Sequence, residues 1–366
     1  MNWDIFCRVI DNYGDIGVCW RLSADLAQRG HSVRLWVDQA EALHWMAPGA
    51  IEGQWPGIAI LPWQASEDPY AVRQLKPSDV WIEGFGCTLP ETFVAHFARL
   101  QADAPPTWIN LEYLSAEPYV ERSHALPSPI MTGPARSWLK YFYYPGFTAG
   151  TGGLLREPGL PAPSPPMTGA EVANFLHSLG IQWRGERLIS LFCYANAPVA
   201  ELLTALTRHA HPTLLLATHG IAQKILNALP TPPLPIRVAP LPALPQPTFD
   251  SLLRCADLNF VRGEDSLVRA IWANKPLVWN IYPQGDGAHA VKLQAFLQRM
   301  QWRDAPQALH WAWNGLLDAQ QTTAAMDWLG QHDWGNWQAQ VHDSGASLRA
   351  NVDLTSGLVD FVNKKR

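Results

Sequence analysis

Short apolar runs alternate with longer segments of helical periodicity through the first half of the chain. The apolar runs, which predict strands, are WDIFCRVI, HSVRLWVD, GIAILPW, VWIEGF and TWINLEYL. The segments GVCWRLSADLAQRG and PETFVAHFARLQ carry apolar residues at helical spacing and predict helices. Strands that alternate with helices are typical of a parallel sheet covered by helices on both faces. We therefore expect an α/β domain in this half.

A proline-rich segment, REPGLPAPSPPMTG from Arg156 to Gly169, interrupts the pattern. Its five prolines prevent a helix or a central strand, so the segment predicts a linker. The alternation then resumes without repeating the earlier sequence, with predicted strands RLISLFCY, PTLLLATHG, DLNFVRG and PLVWNIYP. We expect one Rossmann-like domain at 1–168, a second at 169–351, and a terminal helix at 352–366 that packs back on the first.

Two doubly wound domains have consequences for ligand binding. Open α/β sheets bind ligands outside the carboxyl ends of their strands. Two such domains are expected to face a central cleft, which suits a reaction between two substrates. GT-B glycosyltransferases, some epimerases and some two-domain binding proteins share this architecture, and the fold alone does not choose among them.

The composition excludes several classes of protein. A chain of 366 residues, 48% hydrophobic and 16% charged, is globular and too long for one ordinary core. A net charge of -5 argues against a general nucleic-acid binder. The five cysteines are widely spaced without a C-x-x-C pair, which predicts reduced thiols in a cytoplasmic protein rather than a zinc site. We expect neither a signal peptide nor a membrane span, since no basic leader and no apolar run of about 18 residues occurs.

Familiar nucleotide and metal motifs are missing from the sequence. It contains no G-x-x-x-x-G-K-[ST], and DNYGDIG stands after the first predicted strand where a dehydrogenase carries G-x-G-x-x-G. It also contains no D-x-D, the pair with which metal-dependent sugar transferases usually hold their metal. A P-loop enzyme and a Rossmann dehydrogenase are therefore disfavoured.

The loop DNYGDIG places two carboxylates, Asp11 and Asp15, at the edge of the sheet where ligands bind. Its glycines leave room for a ligand to approach the backbone. The structural alternative is that one aspartate caps the following helix, which explains the second aspartate less well. The other loop residues considered for the acceptor and sugar side are Asn12, Tyr13, Gly14 and Gly17.

A second candidate lies in NFVRGEDSLVRAIWANKPLVW, where a predicted strand runs through Arg262 and Gly263 into a helix. Free N–H groups at a helix start bind anions, and a diphosphate fits such a site. Arg262 adds a fixed positive charge with forked donors. The structural alternative is that Asp265 or Ser266 is the N-cap, with Glu264 stabilised by the helix dipole.

Aromatic residues mark a third candidate, SLFCYANAP, in which Phe192 and Tyr194 alternate on a predicted strand that ends in a turn. At a carboxyl end they are suited to stacking on a planar base, although ordinary core packing is the better explanation for Phe192 taken alone. The polar segment at 108–129 and the glycine- and aromatic-rich segment at 140–157 have the composition of a cleft or partner surface.

Over almost its whole length the chain resembles the bacterial elongation-factor-P arginine rhamnosyltransferases. The resemblance is carried by DNYGDIGVCWRLSADLAQRGHSVRLWVD, WINLEYLSAEPYVERSHALPSP, YFYYPGFTAGTGGLLRE, SLFCYAN and FVRGEDSLVRAIWANKPLVWNIYPQ. It implies an α/β GT-B fold, dTDP-β-L-rhamnose as donor, and an arginine side chain of elongation factor P as acceptor. It also implies inversion at the anomeric carbon, no cofactor and no metal.

The resemblance assigns the first domain to the acceptor and the second to the nucleotide sugar. It implies catalytic roles for Asp11, Asp15 and Glu264, with Asp15 as the base. The implied donor-binding residues are Phe192, Tyr194, Phe249, Arg262, Asp265 and Ser266, to which the helix start adds Gly263.

This assignment suits the chemistry of arginine. A guanidinium stays protonated and is a poor nucleophile, so a carboxylate must orient it and accept a proton as the sugar bond forms. We expect Asp15 to be the base and Asp11 to orient the guanidinium. The alternatives are a GT-B transferase with another nucleotide sugar or a small acceptor, and a non-catalytic regulatory protein that binds a nucleotide sugar.

Overall fold

The computed structural model describes residues 1–10, 13–160, 166–209, 211–285, 287–331 and 334–366. The chain divides into two compact units, Met1–Leu160 with Arg349–Arg366, and Pro161–Leu348. These divisions lie eight and three residues before the boundaries expected at 168/169 and 351/352. The predicted proline-rich linker includes 161–165, which lie outside the described residues.

The first unit carries strands and helices in alternation. Its elements up to residue 160 are β1 (Asn2–Cys7), α1 (Gly14–Gln28), β2 (Ser32–Val37), α2 (Leu43–Met46), β3 (Ile58–Pro62), a 3-10 helix (Trp63–Ser66), α3 (Pro69–Arg73), β4 (Val80–Gly84), α4 (Glu91–Leu100), β5 (Thr107–Leu111), α5 (Tyr119–Ser123), β6 (Pro127–Pro129) and β7 (Leu139–Tyr143).

The second half repeats this alternation and ends in helices. Its elements are α6 (Gly169–Ser178), β8 (Arg187–Leu191), α7 (Val199–His209), β9 (Thr213–Ala217), α8 (Ile221–Ala228), β10 (Ile236–Pro240), α9 (Gln246–Cys255), β11 (Leu258–Arg262), α10 (Gly263–Ala273), β12 (Leu277–Asn280), α11 (Ala288–Met300), α12 (Ala305–Trp313), α13 (Ala319–Gln331), α14 (Gly335–Arg349) and α15 (Leu354–Lys365).

Both units contain a doubly wound sheet. The seven strands of the first lie in the order β3-β2-β1-β4-β5-β7-β6, and all neighbours are parallel except β6 with β7. The five strands of the second lie in the order β10-β9-β8-β11-β12 and are all parallel. In each sheet the strand order reverses next to the unit's first strand, which is where such folds bind ligands. The predicted α/β class with two Rossmann-like units is confirmed.

The central strands of the first sheet are buried along their length because helices cover both faces. One buried charge interrupts this apolar core. Asp4 on β1 is 0% exposed, and its carboxylate accepts from Arg34 (2.7 and 2.5 Å), from Trp36 Nε1 (2.8 Å) and from Ser78 Oγ (2.5 Å). A buried carboxylate with several donors, one of them a guanidinium, is tolerated because its lost hydration is replaced.

The C-terminal helix α15 belongs to the first unit. Arg29, at the end of α1, donates to Asp353 (2.9 Å) and to Ser356 Oγ (2.6 Å), and Asp353 caps α15 by accepting from Ser356 N (2.9 Å). Leu358 and Val362 on this helix are fully buried. The helix therefore completes the core of that unit.

One region of the first unit contains elements that the sequence pattern did not predict. Apart from the predicted strand TWINLEYL, the segments at 108–129 and 140–157 were interpreted as cleft or partner surface. They contain α5, β6 and most of β7, and the two strands widen the sheet to seven. Among the described residues, no helix combines the length and apolar character needed to cross a bilayer.

Candidate functional site

The first candidate site lies at the loop that follows β1. Asp15 is the second residue of α1 and is 2% exposed, and its Oδ2 accepts from Ile10 N at 2.8 Å. Tyr13 occupies the N-cap position and makes no side-chain cap bond, so Asp15 is not the capping residue. Its carboxylate instead holds the end of the loop against the helix start.

Three other residues predicted in this loop, Tyr13, Gly14 and Gly17, lie at the start of α1. Tyr13 packs edge-on against Trp45, with ring centroids 5.2 Å apart. Gly14 begins α1, and the buried Gly17 donates its N–H to Tyr13 O at 3.0 Å. Asp11 and Asn12, also predicted here, lie outside the described residues.

Asp38, which the sequence analysis missed, supports the same loop. It directly follows β2, and its Oδ1 accepts from Val9 N at 3.0 Å. The pKa of the Cys7 thiol is raised well above its usual value by its hydrogen bond with Cys19, by burial, and by the charges of Asp15 and Asp38. Two carboxylates therefore flank the end of β1. The position of Asp38 immediately after a predicted strand could have identified it.

The neighbouring strand ends carry further polar and aromatic groups. Phe85 and Gly86 follow β4 with φ of 57° and 73°, and Phe85 stacks on Tyr113 with ring centroids 4.8 Å apart and an interplanar angle of 24°. Glu112 directly follows β5, and its Oε1 accepts from Asn110 Nδ2 at 2.7 Å. The edge that carries Asp15 therefore continues across two more strands.

The second candidate site lies at the carboxyl ends of β8 and β11. The Arg262 guanidinium lies over the rings of Phe192 and Tyr194, 4.6 and 4.7 Å from their centroids. Its Nη1 donates to Cys193 O at 3.3 Å, and the residue is 7% exposed. Phe192 and Tyr194 were expected on the strand itself, but β8 ends at Leu191 and both residues lie in the turn. Arg262 nevertheless contacts both rings, and their stacking on a planar base stays a prediction.

More aromatic side chains surround this cluster. Phe249, on α9, packs edge-on against Phe192 with centroids 5.8 Å apart, and both rings are half-buried. Tyr194 packs edge-on against Tyr282, which is 46% exposed, with centroids 5.5 Å apart. Tyr194 N donates to Asn280 Oδ1 at 2.8 Å, which fixes the turn after β8 against β12. Asn280 and Tyr282 were not predicted, because their role depends on the neighbouring strand.

The third group of predicted residues forms the first turn of α10. This helix begins at Gly263, which has φ of 69°, and its N-cap is Arg262, which makes no side-chain cap bond. The alternative that Asp265 or Ser266 caps the helix is therefore wrong, because both residues lie inside the first turn. A left-handed residue between strand and helix favours glycine, since other side chains clash there.

Glu264 lies in the same turn and has a distant partner. Its Oε1 accepts from Lys292 Nζ on α11 at 2.8 Å, and both side chains are partly exposed. Asp265 is half-buried and Ser266 is buried. The predicted donor-binding residues thus form one cluster in the second unit, while Asp15 belongs to the first. Among the described residues, no group of three or more histidine, cysteine or acidic side chains is arranged to hold a metal ion.

Comparison with known proteins adds the family. The sequence model of the protein family described as elongation factor P rhamnosyltransferase EarP matches residues 3–363. A protein-arginine rhamnosyltransferase of Pseudomonas putida is 43% identical, with 98% of each chain covered. The chain belongs to the EarP family of rhamnosyltransferases. It is accordingly a glycosyltransferase, and the resemblance inferred from its sequence is confirmed.

Solved structures agree with the fold. A structure described as the basis for EarP-mediated arginine glycosylation of translation elongation factor EF-P matches with a TM-score of 0.63 and 30% identity, covering 100% of this chain and 99% of that one. Phytolacca americana UGT2, complexed with UDP-2fluoro-glucose and pterostilbene, matches with a TM-score of 0.55 and 13% identity over 100% and 99% of the two chains. The second likeness supports the GT-B fold class alone.

Proposed function

We propose that this enzyme transfers L-rhamnose from dTDP-β-L-rhamnose to an arginine side chain of translation elongation factor P, with inversion and without a metal. The observation that carries the donor half of the proposal is the packing of the Arg262 guanidinium between Phe192 and Tyr194, directly before the uncapped start of α10. Family membership supports the sugar and the acceptor.

The thymine base is proposed to stack in the aromatic cluster. Phe192 and Phe249 are half-buried and pack edge-on, so each retains ring surface for a planar ligand. Tyr282, which packs edge-on against Tyr194, adds a more exposed ring. Because aromatic stacking is tolerant of the base, the preference for thymine over uracil is assigned to the family rather than to these rings.

The diphosphate is proposed to bind at the start of α10. An α-helix leaves its first N–H groups without intrahelical partners and concentrates partial positive charge there. The preceding Arg262 adds a full positive charge in a largely buried position. These groups stabilise the charge that develops on the departing diphosphate, which is the role a metal fulfils in many other sugar transferases.

Glu264 is proposed to bind the rhamnose. Its position in the first turn of α10 puts the carboxylate next to the phosphate-binding N–H groups, and the sugar is attached to that diphosphate. Lys292 Nζ donates to one carboxylate oxygen at 2.8 Å, which holds the side chain in place. A carboxylate held in this way is a strong acceptor for sugar hydroxyls.

The acceptor half of the reaction is assigned to the loop after β1. In the proposed step, a guanidinium nitrogen attacks C1 of rhamnose, the bond between C1 and the phosphate oxygen breaks, and a proton leaves the nitrogen for the Asp15 carboxylate. Asp11 is proposed to orient the cation. The hydrogen bond from Ile10 N to Asp15 supports this role, since it holds the carboxylate in one position.

Mass spectrometry of elongation factor P tests the proposal. Incubation of the purified enzyme with elongation factor P and dTDP-rhamnose is expected to add one deoxyhexose to an arginine, with EDTA present or absent. UDP-glucose and GDP-mannose serve as control donors. Transfer from a control donor alone, or transfer to a small guanidine but not to the protein, would support the alternative of another GT-B transferase.

A further inference from the structure

An aromatic pair follows β4 and β5 in the first unit, and the proposed mechanism does not use it. Tyr113 is 36% exposed and stacks on Phe85, which is 7% exposed. Phe85 has φ of 57°, a left-handed conformation that few residues other than glycine adopt. Its N–H donates to Leu111 O at 2.7 Å, which pins the strained turn to the neighbouring strand. The turn after β4 therefore holds the buried Phe85 ring in place, and Tyr113 stacks on it.

A carboxylate adjoins this ring in the sequence. Glu112 is half-buried, and among the described residues it forms no ion pair with a lysine, arginine or histidine. Its hydrogen bond with Asn110 is to a neutral amide. Burial raises the pKa of the Glu112 carboxyl, and the Asn110 hydrogen bond and the Lys140 charge offset this only in part. A bound cation would restore the stabilisation that burial removes from the carboxylate.

The nearby lysine is already engaged elsewhere. Lys140 Nζ donates to Glu83 Oε2 at 2.7 Å, and Glu83 is 1% exposed. Glu83, within β4, and Glu112, directly after β5, therefore have different roles. Glu83 is a buried structural partner of Lys140, whereas Glu112 retains the capacity to pair with a cation from outside the chain.

These groups lie on the same edge of the sheet as the β1 loop. The strands β1, β4 and β5 are consecutive neighbours, so their carboxyl ends are about 5 Å apart from one strand to the next. The end of β4 also touches α1, since a Cβ added at Gly84 would lie 3.1 Å from Cys19 Sγ, one helical turn beyond Asp15. Tyr113 therefore lies on the same edge of the sheet as the loop that carries Asp15, two strands away.

We propose that Glu112 and Tyr113 form the binding site for the acceptor guanidinium, which stacks on the Tyr113 ring and pairs with the Glu112 carboxylate. The inference rests on the proposed arginine acceptor and names the residues that select it. Planar guanidinium groups stack on aromatic faces and bind carboxylates through two donors, whereas a lysine ammonium does neither as well. The site therefore distinguishes arginine from lysine.

Steady-state kinetics and direct binding test the site. Tyr113→Leu is expected to raise the KM for elongation factor P about fivefold, since one exposed cation–π contact is lost. The KM for dTDP-rhamnose should stay within about twofold, because its proposed site is in the other unit. Tyr113→Phe, which keeps the ring, should recover most of the lost affinity. Glu112→Gln should weaken acceptor binding by about tenfold or more. The matched control is Tyr70→Leu, which removes a tyrosine of the same unit that is 76% exposed.

A binding cycle separates this site from a merely structural effect. In calorimetry, Tyr113→Leu should weaken binding of elongation factor P, but should weaken binding of its arginine-to-lysine variant much less. Equal losses for both acceptors, or a KM for elongation factor P unchanged within twofold, would overturn the inference. If the wild-type enzyme transfers no rhamnose to elongation factor P, the proposed function fails. Titration with N-acetyl-L-arginine amide then tests the guanidinium site alone, and equal affinity of wild type and Tyr113→Leu would reject it.

Discussion

Replacement of Arg262 by methionine tests the proposed donor site most directly. Methionine keeps much of the length and apolar character of the side chain but removes its charge and its planar head. The change eliminates contacts with two rings, at 4.6 and 4.7 Å from the guanidinium, and the hydrogen bond to Cys193 O. It also removes the positive charge that we place beside the diphosphate.

The size of the effect follows from these contacts. A largely buried cation–π contact contributes about 1–2 kcal/mol, and a hydrogen bond between a charged donor and a phosphate about 1.5–3 kcal/mol. Loss of the charge, together with looser Phe192 and Tyr194 rings, should cost about 3 kcal/mol of dTDP binding. That corresponds to a Kd raised roughly a hundredfold. Arg262→Lys keeps the charge but loses the stacking, so its Kd for dTDP should lie between those of the wild type and Arg262→Met.

Calorimetric titration with dTDP gives the affinity, and urea denaturation gives the stability of each variant. Arg187 supplies a matched control, because it begins the same strand, β8, at its other end, and its guanidinium lies 4.2 Å from the ring centroid of Trp334. Arg187→Met removes a similar cation–π contact and should lower the free energy of unfolding by about 1 kcal/mol. Its Kd for dTDP should remain that of the wild type.

A wild-type Kd for dTDP in Arg262→Met would refute the argument, because the guanidinium would then do no more than pack between two rings. An equal loss of affinity in Arg187→Met would refute it differently. Such a result would mean that reduced stability of the second unit, rather than a missing charge at the ligand, weakens dTDP binding.

Three further predictions concern single residues. Asp15→Asn should lower the transfer rate at least about a hundredfold, as expected for a lost base, while the Kd for dTDP stays unchanged; normal turnover would exclude this role. Gly263→Ala should lower the free energy of unfolding by about 1–2 kcal/mol, because alanine must adopt φ near 69°. Gly169→Ala, at the first position of α6, should be nearly neutral, and equal losses in the two variants would contradict the strain argument. Burial lowers the pKa of His310 from 6.5 to about 4. Because the unfolded chain then binds the proton more readily, the contribution of His310 to the free energy of unfolding has its full value above about pH 6.5. It falls as the pH drops towards 4, by roughly 2 kcal/mol between pH 7 and 4.5. His310→Gln should remove that part of the pH dependence of the free energy of unfolding. An unchanged pH dependence would exclude His310 as its source.

The amino-acid sequence by itself determined the alternation of strands and helices, the two-unit α/β fold and the approximate positions of the strand ends; β8, for example, ends at Leu191, three residues before the end of its predicted strand. Apolar periodicity and the placement of glycine and proline are local signals, so β1, α1, β8, β11 and α10 were predictable. Because ligands bind at strand ends in such folds, Asp15, Phe192 and Arg262 could also be proposed from the sequence. The sugar and the acceptor came from the resemblance to a family, not from periodicity.

Only the tertiary structure decided which of these side chains meet. Arg262 contacts Phe192 and Tyr194, about 70 residues earlier, because β8 and β11 are neighbours in the sheet. Lys292 reaches Glu264 from a different helix, and Tyr113 stacks on Phe85 because β5 lies beside β4. Contacts of this kind depend on strand order and on single backbone conformations such as the left-handed Phe85. Neither leaves a periodic trace in the sequence, because both arise from segments that are distant along the chain.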